Sequence, residues 1–322
     1  MAARTSTARR RSRRITCRRT ARWAVTAAAT FALILAGGLV TNTGSALAVP
    51  DWPTTFGYNM FLYPWSQMVG GILYEHSHRL LGALVGVLTV ALAASLWVTE
   101  RRGWVRALGA AAVALVVAQG VLGGLRVVLV KDTLAIVHGA LAQAFFALTV
   151  VSAVVTSRRW QEPQPVADTG RLWGLAIGAV AVLYLQSVFG ALLTHAGRVD
   201  LHLAGAAAVF VFVPIVTARA RAVGQRAITR PAFALLVLLG VQLGLGVGAY
   251  LVRFSTVAVP GGQAMALALP VAHRLVAALI LGAAATLVAR LVRARPAVMG
   301  TVGPDPVRRE APPNPLAVES VP

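Results

Sequence analysis

A cluster of chemically active side chains stands where a long apolar run begins, in the stretch YEHSHRLLGALVG at residues 74–86. Within five positions it holds Glu75, His76, His78 and Arg79. On a helix, Glu75, His78 and Gly82 are spaced i, i+3 and i+7 and share one face. A charged side chain inside a bilayer costs roughly 3 kcal/mol, so the cluster indicates either a paired structural group or a site of chemistry.

Four of the six histidines share one pattern. Each lies several residues inside the outer end of an even-numbered predicted helix and has a small residue at i+4: His78, His138, His202 and His273 with Gly82, Ala142, Ala206 and Ala277. The small residue leaves a flat patch one turn below the imidazole, as a macrocycle standing against the helix requires. Paired histidines from facing helices are the usual heme ligands in a membrane bundle. The predicted pairs are His78 with His138 and His202 with His273.

Two other interpretations of these histidines stay open. A lone intramembrane histidine is more often a hydrogen-bonded structural residue, although four at one depth favour ligation. Metal-ion transport is the second, but three of the four have no matching carboxylate. His195 lies at a helix end that meets water. His76 is about 200° around the helix from His78 and is expected to be peripheral.

Basic residues near the outer helix ends are suited to neutralise the two propionates of a heme. They are Arg79, Arg126, Lys131, Arg198, Arg253 and Arg274. Arg79 and Arg274 directly follow candidate ligands and are assigned to the heme scaffold. Snorkelling to the outer headgroups explains Arg126 and Lys131 equally well.

The elements that must position these residues are membrane helices. The chain is 57% hydrophobic and only 12% charged, unlike an ordinary soluble domain of its length. Apolar runs of roughly 20 residues, enough to span a bilayer, recur along it. They predict an all-α integral membrane protein with eight spans, at about 23–43, 71–98, 104–125, 132–156, 171–193, 200–218, 231–252 and 264–292.

The basic residues indicate topology rather than a nucleic-acid partner, despite the net charge of +20. Of the 30 Lys and Arg residues, 24 fall in the two tails and alternate loops, on one side of the predicted bilayer. The positive-inside rule assigns that side, with both termini, to the cytoplasm. The segment before Ala46-Leu47-Ala48 resembles a signal peptide, but its long apolar part favours retention as the first helix.

Motifs recur at matched positions in the two halves. GGLVTNTG at 37–44 matches GALLTHAG at 190–197, and Gln-x-x-x-Gly occurs three times, as Gln119/Gly123, Gln186/Gly190 and Gln242/Gly246. These matches predict two pseudo-symmetric, parallel four-helix bundles. Glu75 has no counterpart in the repeat, because Pro270 stands three residues before His273. The halves therefore differ where chemistry would differ.

The predicted organisation has five parts: a basic cytoplasmic tail at 1–22, an N-terminal bundle at 23–157, a linker at 158–170, a C-terminal bundle at 171–295 and a disordered tail at 296–322. The outer loop 49–70 has no Lys or Arg and is rich in Pro and aromatic residues. It is expected to be an ordered cap, either an aromatic belt or a lid over a site that opens outward.

The sequence closely resembles the heme A synthase family, membrane enzymes that oxidise heme O to heme A. The resemblance rests on Glu-x-x-His-Arg at 75–79, on GGLVTNTGSALAVPDWP at 37–53 and on single histidines in the fourth, sixth and eighth helices, and covers roughly residues 23–295. It implies eight helices in two bundles. Many members carry a cysteine pair in the first outer loop, whereas the only cysteine here is Cys17.

The resemblance also implies roles for the candidate residues. His202 and His273, with Arg274, would hold a heme b cofactor, and His78 and His138, with Arg79, would surround the substrate heme, all four histidines being axial ligands of iron. Glu75 would be the catalytic carboxylate in oxidation of the C8 methyl of heme O to a formyl group, with water as oxygen source. Implied partners are heme O synthase, oxidase assembly factors and the lipid of a bacterial cytoplasmic membrane, and a homo-oligomer is compatible.

Two rival functions are kept. A di-heme b-type electron carrier would bind both hemes permanently and would not need Glu75. A transporter with a midplane site would fit parallel repeats, but no helix pair has the Gly- or Pro-broken core expected of such a site.

Overall fold

Long helices dominate the computed structural model, which describes residues 2–161, 164–166 and 170–296. The helices are α1 (Ala2–Asn42), α2 (Gly70–Thr99), α3 (Gly103–Leu129), α4 (Asp132–Val155), α5 (Arg158–Gln161), α6 (Gly170–Ala196), α7 (Val199–Ala222), α8 (Arg226–Phe254) and α9 (Gly262–Arg293). Short 3-10 turns lie at Met60–Leu62 and Trp65–Gln67, and strands β1 (Gln164–Val166) and β2 (Ala294–Pro296) pair in parallel.

Eight of the described helices are long and apolar enough to cross a membrane, and each begins and ends within five residues of its predicted bounds. The prediction of an all-α integral membrane protein with eight spans is confirmed. Two boundaries differ in detail. Helix α1 already begins at Ala2, so it includes residues of the segment 1–22 that was predicted as a separate tail. The linker predicted at 158–170 contains α5 and β1. The predicted C-terminal tail, beyond Pro296, lies outside the described residues.

The long helices pack in two rings of neighbours. In the first, α1 contacts α2 and α4, and α3 contacts α2 and α4; in the second, α6, α7, α8 and α9 contact one another in the same cyclic order. Trp23 and Val85 lie in the core of the first ring, and Leu235 and Leu287 in that of the second. Helices α1, α4 and α9 meet between the rings around Ile34, Phe146 and Ala278. The parallel pseudo-symmetry of the halves stays a prediction.

A buried carboxylate joins helices of the first ring at the end that lies away from loop 49–70. Glu100, directly after α2, accepts hydrogen bonds from Arg19 of α1 at 2.7 Å and from Nη2 of Arg102 at 3.0 Å. Burial by itself would raise the pKa of Glu100, but the hydrogen bonds from Arg102 and the charges of Arg102 and Arg19 outweigh it and lower the pKa to about 2.

We expect Glu100→Gln to destabilise the protein by about 1–3 kcal/mol at neutral pH, because it leaves two guanidinium groups without their counter-charge. Since the folded-state pKa is depressed, this stabilisation is full above the ordinary pKa of 4.5 and is lost as the pH falls toward about 2. Melting of wild type and variant, followed by circular dichroism in detergent from pH 7 downward, should therefore converge in acid. Asp200→Asn, which breaks an exposed pair with Arg198, is the control and should change melting little.

Candidate functional site

The structure brings the four predicted ligands together as two pairs. The ring centres of His78 on α2 and His138 on α4 lie 6.4 Å apart, and the rings are nearly perpendicular. The ring centres of His202 on α7 and His273 on α9 lie 6.1 Å apart in a similar arrangement. Each group of four helices, α1–α4 and α6–α9, therefore contains one pair of facing imidazoles.

This spacing suits two imidazoles on opposite sides of one metal atom. An imidazole nitrogen lies about 2 Å from a metal that it ligates, and the ring centre lies about 1 Å further, so the centres of two such rings are roughly 6 Å apart. Each pair supplies two donors only. Within the described residues, no group of three or more His, Cys, Asp or Glu could hold a metal ion. A macrocycle that brings its own equatorial ligands fits such a pair better than a bare ion does.

A glycine on the preceding helix lies against each imidazole. The pairs are Gly37 with His78, Gly123 with His138, Gly190 with His202 and Gly246 with His273. In every pair Cε1 is the ring atom nearest to the glycine and Nδ1 is the next, so Nε2 is the nitrogen turned furthest away. We call these four residues the seat glycines. Three of them belong to the Gln-x-x-x-Gly motif, which the sequence showed as a repeat without its purpose.

The seats differ in how tightly they fit. A Cβ added at Gly246 would lie 2.9 Å from Cε1 of His273, and one at Gly37 would lie 3.0 Å from Cε1 of His78. At Gly123 and Gly190 the corresponding distances are 3.4 and 3.5 Å, which is close to ordinary contact. One seat in each half therefore has no room for a side chain.

Glu75 and Arg79 attach the first outer loop to α2. Oε2 of Glu75 accepts the backbone N–H of Val49 at 2.9 Å, and its Oε1 accepts from Arg79 at 2.9 Å. Arg79 also donates to the backbone carbonyls of Val49, Asp51 and Thr54 at 2.7–3.0 Å. Both terminal nitrogens of Arg79 are thus engaged by the loop, whereas the sequence assigned this side chain to heme propionates. Glu75 is 5% exposed and forms a buried ion pair with this guanidinium.

His76, which was expected to lie away from the heme face of α2, is buried against the outer loop. It is 1% exposed, its Nδ1 lies 3.1 Å from Oγ1 of Thr55, and its ring packs 5.1 Å from that of Tyr63. Trp52 lies so close against Gly124 of α3 that a Cβ there would overlap its indole ring. The outer loop therefore contacts both α2 and α3, as an ordered cap requires. The burial of His76 depends on which loop side chains fold over it, namely Thr55 and Tyr63, and the sequence does not reveal that packing.

The other predicted cations are placed differently from one another. Arg274 lies inside the membrane region next to the candidate ligand His273, and its Nη1 is 3.4 Å from Oγ1 of Thr41 on α1. Arg198 instead pairs with Asp200 at 2.7 Å on an exposed surface. Arg126 and Lys131 line a small cavity with Asp132 at the outer ends of α3 and α4. Arg274 is thus the predicted cation that the structure keeps beside a histidine pair.

Comparisons with known proteins show which family the chain is similar to. The COX15-CtaA family model, described as cytochrome oxidase assembly protein, matches residues 21–200. The heme A synthase of Shouchella clausii is 32% identical over 136 residues, which are 42% of this chain and 43% of the relative. The heme A synthase of Alkalihalophilus pseudofirmus is 33% identical over 132 residues, 40% of this chain and 43% of the relative. The match thus spans about two fifths of the length of each curated relative.

Proposed function

The chain belongs to the COX15-CtaA family of cytochrome oxidase assembly proteins, and from that premise we propose that it is a heme A synthase, which oxidises the C8 methyl of heme O to a formyl group. The observation that carries the proposal is the pair of facing imidazoles in each half, with ring centres 6.4 and 6.1 Å apart. The two curated relatives have the same named activity.

The two halves take different roles in this proposal. His202 and His273, with Arg274, hold a heme b cofactor in the C-terminal half, residues 171–295. Such a heme supplies one-electron redox chemistry when it is bound. His78 and His138 hold the substrate heme O in the N-terminal half, residues 23–157. The asymmetry at Glu75 supports this division, because the equivalent position before His273 is Pro270.

Glu75 is proposed as the catalytic carboxylate. It lies one helical turn from His78 on the same face of α2, beneath the outer loop. Converting a methyl to a formyl group with oxygen from water releases four electrons and four protons in two equal steps, so the reaction also requires an external electron acceptor that takes up these electrons. A buried carboxylate beside the reacting carbon accepts a proton from it, or stabilises the positive charge that develops there.

The orientation of the chain in the membrane and its cellular location are inferred from the distribution of charge. We infer that both termini face the cytoplasm and that the chain lies in a bacterial cytoplasmic membrane, since the basic residues cluster on one side of the eight spans. The histidine pairs then lie in the outer half of the bilayer. Heme O synthase and the factors that assemble terminal oxidases are the proposed partners, as source of heme O and destination of heme A.

The proposal is tested by co-expressing the chain with a heme O synthase and extracting the pigments. We expect heme A to appear only when both proteins are present. Extracts that contain heme O alone, from cells whose purified protein binds heme, would overturn the assignment. A di-heme b-type carrier, which the likeness of the two histidine pairs also suits, would give that second result.

A further inference from the structure

The residue one turn before each seat glycine differs in only one of the four helices. It is Gln119 before Gly123, Gln186 before Gly190 and Gln242 before Gly246, but Leu33 before Gly37. A residue at i−4 lies on the same helical face as the glycine and therefore beside the same imidazole. The exception falls on His78, in the half proposed to receive substrate.

Each glutamine reaches the histidine that its glycine seats. Nε2 of Gln119 donates to the backbone carbonyl of His138 at 3.2 Å. Nε2 of Gln186 donates to the carbonyl of His202 at 3.0 Å and also lies 3.2 Å from Nδ1 of that ring. Nε2 of Gln242 lies 3.1 Å from Nε2 of His273, and the carbonyl oxygen of Gln242 lies 3.2 Å from its Nδ1.

Each of the three glutamines has a buried side-chain oxygen that accepts no hydrogen bond. Oε1 of Gln119, Gln186 and Gln242 is buried without a hydrogen-bond partner. A histidine that ligates iron through Nε2 keeps its proton on Nδ1, and that N–H needs an acceptor, which fixes the orientation of the ring. A half-turn of a glutamine amide exchanges its oxygen and nitrogen, so Oε1 of Gln186 would then lie where Nε2 now faces Nδ1 of His202. The amide would give up its present bond to the His202 carbonyl and shift away from that oxygen.

We propose that Gln186 is a positioning residue that accepts the Nδ1 proton of His202 when a heme is bound, and that Leu33, which offers His78 no side-chain acceptor, makes His78 the most readily released of the four ligands. The backbone carbonyl of Gln242 meets the same need for His273, and Gln119 stands ready for His138. The inference rests on the proposed function, because an exchangeable ligand suits the half that must take up heme O and release heme A.

Two further contacts support this difference between the halves. A Cβ at Gly205, on α7 close to His202, would overlap Oε1 of Gln186, so the backbone of α7 leaves room for this amide. In the N-terminal half, Nδ1 of His78 and Nδ1 of His138 are both buried without a hydrogen-bond partner. The side chain one turn before the glycine is an amide, Gln119, beside His138, whereas it is Leu33 beside His78. The Leu33 side chain there lies 4.0 Å from where a Cβ on Gly82 would be. An apolar side chain thus occupies the turn that carries an amide in the other three helices.

The first test measures how tightly the C-terminal half holds protoheme in the purified full-length protein. We expect Gln186→Leu to release this heme about 10–100-fold faster into excess apomyoglobin. Gly205→Ala, which displaces the Gln186 amide without changing it, should act in the same direction. Gln186→Glu should keep the heme and lower its midpoint potential, because a carboxylate acceptor makes the imidazole a stronger donor to iron.

The controls separate positioning from general packing. Ser187→Ala, next to Gln186 and bonded only to the Leu183 carbonyl of its own helix, should leave release rate and potential unchanged. Wild-type release rates in Gln186→Leu, or an unshifted potential in Gln186→Glu, would overturn the role of Gln186.

The second test asks whether Leu33 sets the lability of His78. Protein loaded with protoheme at both sites should release it in a fast phase from the N-terminal half and a slow phase from the C-terminal half. Leu33→Gln should slow the fast phase about 10-fold, whereas Leu33→Met should not. An unchanged fast phase in Leu33→Gln would overturn the inference. The release rates are measured without catalytic turnover. A chain that makes no heme A would therefore refute the proposed function, whereas the two release experiments would still decide the inference about Gln186 and Leu33.

Discussion

Replacing Glu75 with glutamine should reduce heme A formation by at least about 100-fold while both hemes still bind, because removing a group that transfers protons in the transition state typically costs that much. Glutamine keeps the size of the side chain and an acceptor for the N–H of Val49, but it cannot take up a proton. The measurement is heme A per mole of protein in cells that also produce heme O, with heme content read from the reduced-minus-oxidised spectrum.

The network around Glu75 offers a competing explanation for such a loss. Both carboxylate oxygens already bind groups of the protein, one the N–H of Val49 and the other Arg79, so the residue also holds the outer loop on α2. A variant that loses activity only because this loop has opened would be misread as a catalytic defect. The two roles must therefore be separated by a change that loosens the loop and leaves the carboxylate in place.

Thr55→Val makes that separation. Thr55 of the outer loop is fully buried, and its hydroxyl lies 3.1 Å from Nδ1 of His76 on α2. Valine keeps the shape of threonine and removes this one hydrogen bond, so we expect Thr55→Val to retain most of the heme A formation. If Thr55→Val lost as much activity as Glu75→Gln, the carboxylate would act through the loop and its catalytic assignment would be wrong.

Most of the fold was predictable from the sequence, because a membrane-spanning helix is defined by a simple physical requirement. About 20 consecutive apolar residues are needed to cross the hydrocarbon core, and the eight runs that meet it became the eight candidate spans. Histidine is costly inside lipid, so its four occurrences at one depth could be paired before the structure was known. The His78–His138 and His202–His273 contacts agree with that pairing.

The parts that could not be predicted depend on backbone groups and on close approach between helices. The bonds from Arg79 to the carbonyls of Val49, Asp51 and Thr54 involve groups that every residue has. No sequence pattern distinguishes those carbonyls from others. The seat at Gly37 was hidden for a related reason, since glycine is common in membrane helices and its meaning depends on the ring of another helix.

The helix extent beyond the apolar runs was also missed. Predicted spans end where hydropathy falls, but a helix continues for as long as its backbone hydrogen bonds are satisfied. Helix α1 therefore runs from Ala2 through the arginine-rich segment. Helix α8 begins at Arg226, five residues before Pro231, where the apolar run was judged to start.

Alanine at Gly246 should remove the heme from the C-terminal half, whereas alanine at Gly190 should not. The new Cβ at position 246 would lie 2.9 Å from Cε1 of His273, closer than carbon atoms normally approach, and the atom it meets belongs to a ring held on another helix. At position 190 the distance to Cε1 of His202 is 3.5 Å, an ordinary contact. Overpacking of this kind costs about 1–3 kcal/mol, which corresponds to roughly 10–100-fold weaker heme binding.

The two substitutions are closely matched, since each adds one methyl group to the same motif in the same half of the protein. Purified variants should be compared by pyridine hemochrome content and by the reduced-minus-oxidised spectrum, with circular dichroism to verify that both remain helical. Equal loss of heme from Gly190→Ala and Gly246→Ala would mean that these glycines serve helix packing in general. Loss from Gly246→Ala alone would show that the seat sets the position of His273, because only there would the added atom lie closer to the imidazole than an ordinary contact allows.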